Sequence, residues 1–171
     1  DYDKGVFNKH NIQKIITLAK QLNIPVTADP KKENFHYYSG LTLFKPNLKE
    51  LKEGLNLDFN FEQEKERFEL AVDTLRKDIP HTISLVTLSE HGVFICNEND
   101  KAYIPAHKRE ITDVSGAGDT VIAVATLCLL ANTSLTELAM ISNIAGGMVC
   151  EKPGVVSITF EALKNEVNEL L

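Results

Sequence analysis

A short glycine-containing turn that ends in a carboxylate is the part of this sequence best suited to chemistry. The turn covers residues 113–120 and reads Asp-Val-Ser-Gly-Ala-Gly-Asp-Thr, and an apolar run from 121 to 130 follows it. Such a run favours a buried helix, which the turn would open. The first N–H groups of a helix lack intrahelical partners, and the helix dipole adds roughly half a positive charge there. The amides of Gly116, Ala117 and Gly118 are therefore predicted to cradle a phosphoryl group.

The carboxylate of Asp119 would lie beside that anion, in the first turn of the helix. A carboxylate next to a phosphate is unfavourable unless it has a task, such as accepting the proton of an attacking hydroxyl group. The plainer alternative is an ordinary helix start, because an acid in the first turn complements the helix dipole. Two familiar nucleotide motifs do not fit: no Gly-Lys-Ser/Thr follows, and Val121 stands where a dinucleotide fingerprint has its third glycine.

The elements that must position this turn alternate between strands and helices, with no internal repeat. The pattern predicts helices at 9–22, from 47, at 62–77, 121–130, 134–151 and 159–171, strands at 24–29, 41–44 and 82–88, and a hairpin at 92–96 and 101–105. The alternation predicts an α/β fold, in which a mostly parallel sheet carries helices on both faces in three layers. The hairpin adds a C-terminal-side antiparallel pair.

Polar residues follow several of the predicted strands. Ligands of open parallel sheets bind at the carboxyl ends of the strands, so these residues are expected to converge there with the 113–119 turn. Asn47 and Glu50 are one helical turn apart, which suits either a hydrated hard cation or a simple helix cap. Lysines at strand ends either meet phosphates or are solvated. The candidates are Asp29, Lys31, Lys45, Asn47, Glu50 and Thr87.

Composition excludes several functions. The chain has 171 residues, 43% of them hydrophobic, and a net charge of −6 with no basic run, which argues against nucleic acid or an anionic membrane as the main partner. Cys96, Cys128 and Cys150 are widely spaced in apolar contexts, as expected for reduced core thiols, and the histidines show no ligand spacing. With no signal peptide or membrane-length apolar span, we expect a cytoplasmic protein. Because the chain begins at Asp1, in what resembles the loop after a strand, we expect the N-terminal part of the domain to be absent.

Taken together, the motifs resemble the ribokinase-like, or PfkB, carbohydrate kinases. That family's Asp-Thr-x-Gly-Ala-Gly-Asp signature is matched at 113–119 with Val114 replacing threonine, and its Asn-x-x-Glu motif is matched by Asn47 and Glu50. A Thr-x-Gly-x-x-Gly strand end is matched imperfectly at 87–92, where Ser89 replaces a glycine. The resemblance covers essentially the whole chain but only about the C-terminal half of a family member. It implies a ribokinase-like fold whose N-terminal part and lid are absent.

The resemblance also implies a role for each matched residue. Asp119 would be the catalytic base, and Gly116, Ala117 and Gly118 would hold the transferring phosphoryl oxygens. The metal and nucleotide would be held by two further groups. Asn47 and Glu50 would orient Mg²⁺, while Thr87, Gly92 and Asn143 would border ATP, with Lys31 and Lys45 near its phosphates; Asn143 could equally make local hydrogen bonds in its helix. Some relatives bind a monovalent cation, which Asp113, Ser115, Val149, Lys152 and Gly154 would frame here.

The implied function is MgATP-dependent phosphorylation of a sugar. The stretches 1–6, 28–31, 45–47 and 87–90 resemble the kinases that phosphorylate D-glycero-D-manno-heptose 7-phosphate at its anomeric hydroxyl, for ADP-heptose and lipopolysaccharide synthesis. The alternatives are another kinase of the family, for ribose, fructose 1-phosphate or a nucleoside, and a nucleotide-binding fragment without activity. The implied partners are ATP and a phosphorylated sugar, K⁺ is an optional cofactor, and the intact parent is expected to be a homodimer.

Overall fold

The computed structural model describes residues 1–170. Its five strands form one mostly parallel mixed sheet in the order β1-β2-β3-β4-β5, accompanied by α-helices, as the sequence predicts. The chain divides into two compact units. The first contains residues 1–87 and 96–99, and the second contains residues 88–95 and the chain from Asp100 onward.

The first unit is built on three parallel strands with helices between them. Strand β1 pairs with β2, and β2 pairs with β3, both in parallel. Two buried aromatic side chains of this unit, Phe35 and Phe44, meet edge to face at 5.3 Å between ring centroids. The elements are α1 (Lys9–Gln21), β1 (Thr27–Ala28), a 3-10 helix (Lys32–Tyr37), β2 (Leu41–Phe44), α2 (Leu48–Gly54), α3 (Lys65–Asp78) and β3 (His81–Thr87).

Strand β1 is shorter than the six residues predicted at 24–29, and the reason lies in Thr42. Pro25 has no N–H, and the N–H of Val26 donates to the Thr42 hydroxyl at 3.1 Å instead of to a neighbouring strand. The regular ladder therefore covers only Thr27 and Ala28, opposite Leu43 and Phe44, although the carbonyl of Val26 still accepts the N–H groups of Thr42 and Leu43 at 2.9 and 3.2 Å. The 3-10 helix that follows was not predicted from the sequence.

The second unit is dominated by two long helices. After β4 (Val93–Cys96) and β5 (Lys101–Ile104) come α4 (Ala117–Leu130), α5 (Leu135–Cys150) and α6 (Phe160–Leu170). Helices α4 and α5 are apolar on nearly all sides, and α5 buries nine of its residues. The predicted closing helix at 159–171 is confirmed as α6, except that Leu171 lies outside the described residues.

Two other expectations can be compared with the fold. Cys96, Cys128 and Cys150 are buried, and all three are free thiols, as the sequence analysis predicts. Along the described part of the chain, no helix combines the length and hydropathy needed to cross a bilayer.

Candidate active site

The glycine turn opens α4 as the sequence predicts. Gly116 is the residue before the helix, and its φ of +80° and ψ of −3° lie in the left-handed region that favours glycine. Ala117, Gly118 and Asp119 form the first turn, and Asp119 is exposed. Val114 is 69% exposed, whereas Gly116, Ala117 and Gly118 are half-buried, with the Val155 side chain close to Gly116.

The start of α4 lacks the side-chain cap found at the starts of α1, α2 and α5; α3, which starts after Glu64, lacks one as well. Helices α1, α2 and α5 each begin with a reciprocal capping box, formed by Asn8, Asn47 and Ser134 with the residue three positions later. Helix α4 begins at Gly116, which provides no side-chain cap. No capping side chain occupies the first N–H groups of α4, as a backbone cradle for an anion requires. The N–H of Ala117 does donate to the carbonyl of Val114 at 3.2 Å, so an anion there would have to displace that contact.

The carboxylate of Asp113 holds the glycine turn in place through hydrogen bonds to main-chain N–H groups. Its Oδ1 accepts the N–H of Ser115 at 2.9 Å, and its Oδ2 accepts the N–H of Gly154 at 2.9 Å. Hydrogen bonds from the Ser115 side chain and then from these N–H groups lower the pKa of Asp113. Its main-chain N–H also donates to the carbonyl of Cys150 at 3.1 Å, at the end of α5. Asp113 therefore ties the turn to the chain that follows α5.

Two adjacent glycines in α5 let other groups approach that helix closely. A Cβ at Gly146 would lie 2.6 Å from Val121 Cγ2, so α4 packs against α5 where a side chain would not fit. A Cβ at Gly147 would lie 2.7 Å from Nε of Arg109. We attribute Gly146 to the approach of α4 and Gly147 to the arginine.

Arg109 is a residue that the sequence analysis missed. Its side chain is only 8% exposed and forms ion pairs with Glu151, at 3.0 Å, and with Glu166 of α6. The partners are 42 and 57 positions away along the chain, so no local pattern could have revealed the pair. Arg109 joins the segment before the glycine turn to the ends of α5 and α6.

Two residues predicted to border the nucleotide converge on the segment after β5. The side-chain amide of Asn143 donates to the carbonyl of Pro105 at 2.9 Å. Gly92 has a φ of +89°, and a Cβ there would lie 2.0 Å from the carbonyl oxygen of Ile104 and 2.6 Å from Pro105 C. The close approach of this backbone explains why residue 92 is glycine. Ser89, which replaces a family glycine, also has a positive φ, of +53°.

In the first unit, strand register brings two opposite charges together. Ala28 is opposite Phe44, so the next residues along the two strands, Asp29 and Lys45, are neighbours. Lys45 Nζ lies 2.9 Å from Asp29 Oδ2, and the Lys45 side chain is only 2% exposed. A lysine this buried requires a partner of opposite charge. Lys45 was predicted to meet phosphates; in this structure its ammonium neutralises Asp29.

Lys31 and Glu50 extend this pair into a cluster of four charges. The Lys31 ammonium forms an ion pair with Glu50 Oε1 and lies 3.5 Å from Asp29 Oδ1. Burial alone would lower the pKa of Lys31, but the hydrogen bond to Glu50 and the charges of Asp29 and Glu50 outweigh it, and the pKa is raised. Lys31 is therefore a partly buried cation with two acidic partners and not a solvated lysine.

Asn47 and Glu50 form the reciprocal capping box of α2. Asn47 Oδ1 accepts the N–H of Glu50 at 2.8 Å, and Glu50 Oε2 accepts the N–H of Asn47 at 2.8 Å. Thr87 lies beside them at the end of β3: its N–H donates to Pro46 O at 3.1 Å, and it forms a parallel bridge with Asn47. Asn47 and Glu50 thus do form the helix cap that the sequence allows, and their role in binding Mg²⁺ stays a prediction.

The donor set of this cluster suits one kind of metal site only. Within residues 1–170, no three His, Cys, Asp or Glu side chains are grouped so that they could hold a metal. With Asp29 paired to Lys45, the Glu50 carboxylate and the Asn47 amide beside it match a hard cation that keeps most of its waters and takes its other oxygens from phosphates. Glu50 and Asn47 therefore fit the Mg²⁺ of a nucleotide complex better than a metal held by protein alone.

Sequence comparison identifies the family. The family model described as pfkB family carbohydrate kinase matches residues 4–162, and the chain belongs to that family. Bifunctional protein HldE of Campylobacter jejuni strain RM1221 is 39% identical over 165 residues, which are 96% of this chain and 35% of the relative. The HldE protein of Sulfurimonas denitrificans is 36% identical over 164 residues, covering 96% of this chain and 34% of the relative. The chain thus spans about a third of the length of these curated relatives.

Solved structures show the same fold. Phosphofructokinase-2 from Escherichia coli in complex with potassium superposes with a TM-score of 0.85 at 19% identity, over 96% of this chain and 53% of that one. Ribokinase from Arabidopsis thaliana, complexed with ribose and ATP, superposes with a TM-score of 0.79 at 17% identity, over 94% of this chain and 53% of that one. The predicted ribokinase-like fold is confirmed.

Proposed function

We propose that the chain is the nucleotide-binding and catalytic portion of an MgATP-dependent sugar kinase, with Asp119 as its general base. The observation that carries the proposal is the start of α4, where left-handed Gly116 provides no side-chain cap and the half-buried first turn ends in an exposed acid. The amides of Gly116, Ala117 and Gly118 would take the phosphoryl oxygens, since N–H groups at a helix start and the helix dipole favour negative charge. The Ala117 N–H, which donates to the Val114 carbonyl at 3.2 Å, would exchange that partner for the phosphate.

In the proposed step, the proton of the sugar hydroxyl passes to the Asp119 carboxylate. The sugar oxygen then bonds to the γ-phosphorus, the bond from that phosphorus to the bridging oxygen breaks, and ADP leaves with the electron pair. Phosphoryl transfer has a loose transition state, so positioning and charge neutralisation supply most of the acceleration. Mg²⁺ would neutralise phosphate charge, with Glu50 and Asn47 orienting it.

For the acceptor, we propose D-glycero-D-manno-heptose 7-phosphate, phosphorylated at its anomeric hydroxyl for ADP-heptose synthesis. Support comes from the stretches at 1–6, 28–31 and 45–47, which resemble heptose kinases, and from the HldE relatives at 36–39% identity. For the optional monovalent cation, support comes from the potassium complex of the Escherichia coli phosphofructokinase-2. Asp113 would shape that site through the main chain, because both of its carboxylate oxygens already accept N–H groups.

The test of this function combines MgATP calorimetry with turnover on a panel of acceptors, using the protein at its natural length. We expect MgATP to bind and heptose 7-phosphate to be the best acceptor, ahead of ribose, fructose 1-phosphate and nucleosides. Replacing K⁺ by Na⁺ in the same assay tests the cation. A different preferred sugar would remove the heptose assignment, and MgATP binding without any turnover would favour a nucleotide-binding role.

The sharpest variant is Asp119→Asn. We expect kcat to fall by about 10²- to 10⁴-fold, because a general base typically contributes that much, while MgATP still binds. The matched control is Glu137→Gln, since Glu137 is an exposed acid in the first turn of α5 that serves a capping box. The control should lose some stability and keep its turnover. Near-normal turnover in Asp119→Asn would refute the assignment of the base.

A further inference from the structure

The candidate metal ligand of the first unit, Glu50, already has partners for its carboxylate within the charge cluster that it forms with Asp29, Lys31 and Lys45. Both oxygens of Glu50 are engaged: Oε1 accepts from the Lys31 ammonium, and Oε2 accepts the Asn47 N–H at 2.8 Å. The Glu50 side chain is 11% exposed, so solvent screens these contacts only partly. A cation that approaches Oε1 must displace an ammonium or share the oxygen with it.

The ammonium of Lys31 is not committed to Glu50 alone. It also lies 3.5 Å from Asp29 Oδ1, which has no hydrogen-bond partner among the residues described and is buried. The other oxygen of Asp29 is held at 2.9 Å by Lys45, which is almost completely buried. Asp29 is thus a fixed anion with one oxygen available, and it can retain Lys31 when Glu50 turns to another partner.

The charges of the cluster decide what it can accept. Two carboxylates, Asp29 and Glu50, are balanced by two ammonium groups, Lys31 and Lys45, so the cluster has no net charge. A free divalent cation would add two positive charges beside Lys31, which is unfavourable at close range. A metal–ATP complex carries net negative charge, so its phosphates attract the same ammonium.

We propose that Lys31 stays ion-paired with Glu50 until a nucleotide binds. Metal binding at Glu50 then depends on the nucleotide's phosphates. This inference rests on the proposed function, because the partner is a metal–nucleotide complex. When the complex binds, the Lys31 ammonium moves from Glu50 to a phosphate oxygen, and the freed carboxylate faces the metal. Free metal ions alone bind poorly because no phosphate is present to take the ammonium.

The experiment compares Mn²⁺ affinity with and without the non-hydrolysable ATP analogue AMP-PNP, measured by electron paramagnetic resonance on the full chain. In Lys31→Met, free Mn²⁺ should bind roughly three- to tenfold more tightly, because a nearby positive charge is gone. The Mn²⁺ complex of AMP-PNP should bind roughly tenfold more weakly, because a phosphate contact is gone. These opposite changes are the signature of coupling, and a purely structural lysine would not produce them.

Three further variants make the result specific. Lys49→Met removes a lysine whose side chain is 81% exposed, next to Glu50 at the start of α2, and should change neither affinity. Lys31→Arg keeps the charge and should restore weak binding of free Mn²⁺. Adding Glu50→Gln to Lys31→Met should abolish the gain, which assigns the extra Mn²⁺ to that carboxylate.

Each outcome is decisive. Unchanged free Mn²⁺ affinity in Lys31→Met, or a parallel loss of both affinities, overturns the inference. If no variant binds the analogue but free Mn²⁺ still tightens in Lys31→Met, the ammonium does block Glu50, and the proposed kinase function is what fails. A cooperative melting curve of Lys31→Met whose midpoint lies well above the assay temperature excludes unfolding as the cause; we expect some loss of Tm, because Glu50, 11% exposed, loses its cationic partner.

Discussion

At the scale of single residues, the most perturbed base in the first unit is His81, which lies outside the proposed chemistry. Its Nδ1 contacts the carbonyl oxygen of Ile79, and its Nε2 lies 2.6 Å from the Ser84 hydroxyl. A carbonyl can only accept, so Nδ1 carries the proton, and neutral Nε2 accepts the hydroxyl hydrogen. Burial is the main cause that lowers the pKa of His81 to about 4, aided by the charge of Arg76.

This perturbed histidine predicts a pH dependence of stability. The unfolded chain takes up a proton at His81 near pH 6.5, whereas the folded protein does so near pH 4, so stability falls as the pH decreases through that window. Between pH 7.5 and pH 5 we expect His81 to account for a loss of about 2 kcal/mol in the free energy of unfolding. Urea denaturation at the two pH values measures it.

The control for this prediction is a second histidine variant. His81→Gln should be less stable at both pH values but should lack this part of the pH dependence. His10→Gln, at an exposed position in the first turn of α1, should keep the dependence of the parent. Equal slopes for His81→Gln and the parent would show that acid destabilisation originates elsewhere, for example in the ion-paired carboxylates.

At the scale of elements, α2 and α5 offer a matched test of whether Asn47 acts only as a cap. Asn47 and Ser134 occupy the same position in equivalent capping boxes. Replacing either residue by alanine should cost about 1 kcal/mol of stability, because one first-turn N–H loses its acceptor. Only Asn47→Ala is expected to weaken MgATP binding as well, by about tenfold or more, through loss of the group that orients Glu50.

Urea denaturation and calorimetry on the two variants separate the roles. Similar losses of stability confirm that both residues cap their helices, and the calorimetry then isolates the effect on the nucleotide. If Asn47→Ala and Ser134→Ala lowered MgATP affinity equally, the effect would be a general consequence of destabilisation, and the role of Asn47 toward the metal would be lost.

Most elements were predictable because their apolar patterns are local. The periodicity at 9–22 predicts α1, which buries Ile12, Ile16 and Ala19, and the apolar run after the glycine turn predicts α4. The 3-10 helix at Lys32–Tyr37 has no such pattern. It buries Asn34, whose side-chain amide donates to Asp1 Oδ2 at 2.9 Å, a contact between residues 33 positions apart. Elements fixed by distant polar contacts are not visible in a local pattern.

At the scale of the whole molecule, the sequence predicts which residues are candidates for the site better than it predicts which residues they contact. The glycine turn, its position at the start of α4 and the place of Asp119 in the first turn follow from residue types and local dipole physics. The burial of Lys45 cannot be predicted from residue type, because it depends on β1 and β2 lying side by side in register. Lysine is ordinarily a surface residue, and only a long-range partner reverses that preference.

The proposed nucleotide binding should also change the stability of the whole molecule, since a ligand bound only by the folded state stabilises it. At 100 times its dissociation constant, MgATP should contribute about 2.7 kcal/mol, which for a chain of this size raises Tm by about 5–10 °C. Asp119→Asn should show an equal or larger shift, because the base acts in the transition state and its charge opposes bound phosphate. ATP with EDTA should give a smaller shift, because the metal neutralises phosphate charge. A shift that disappears in Asp119→Asn would place this residue in ground-state binding instead of proton transfer.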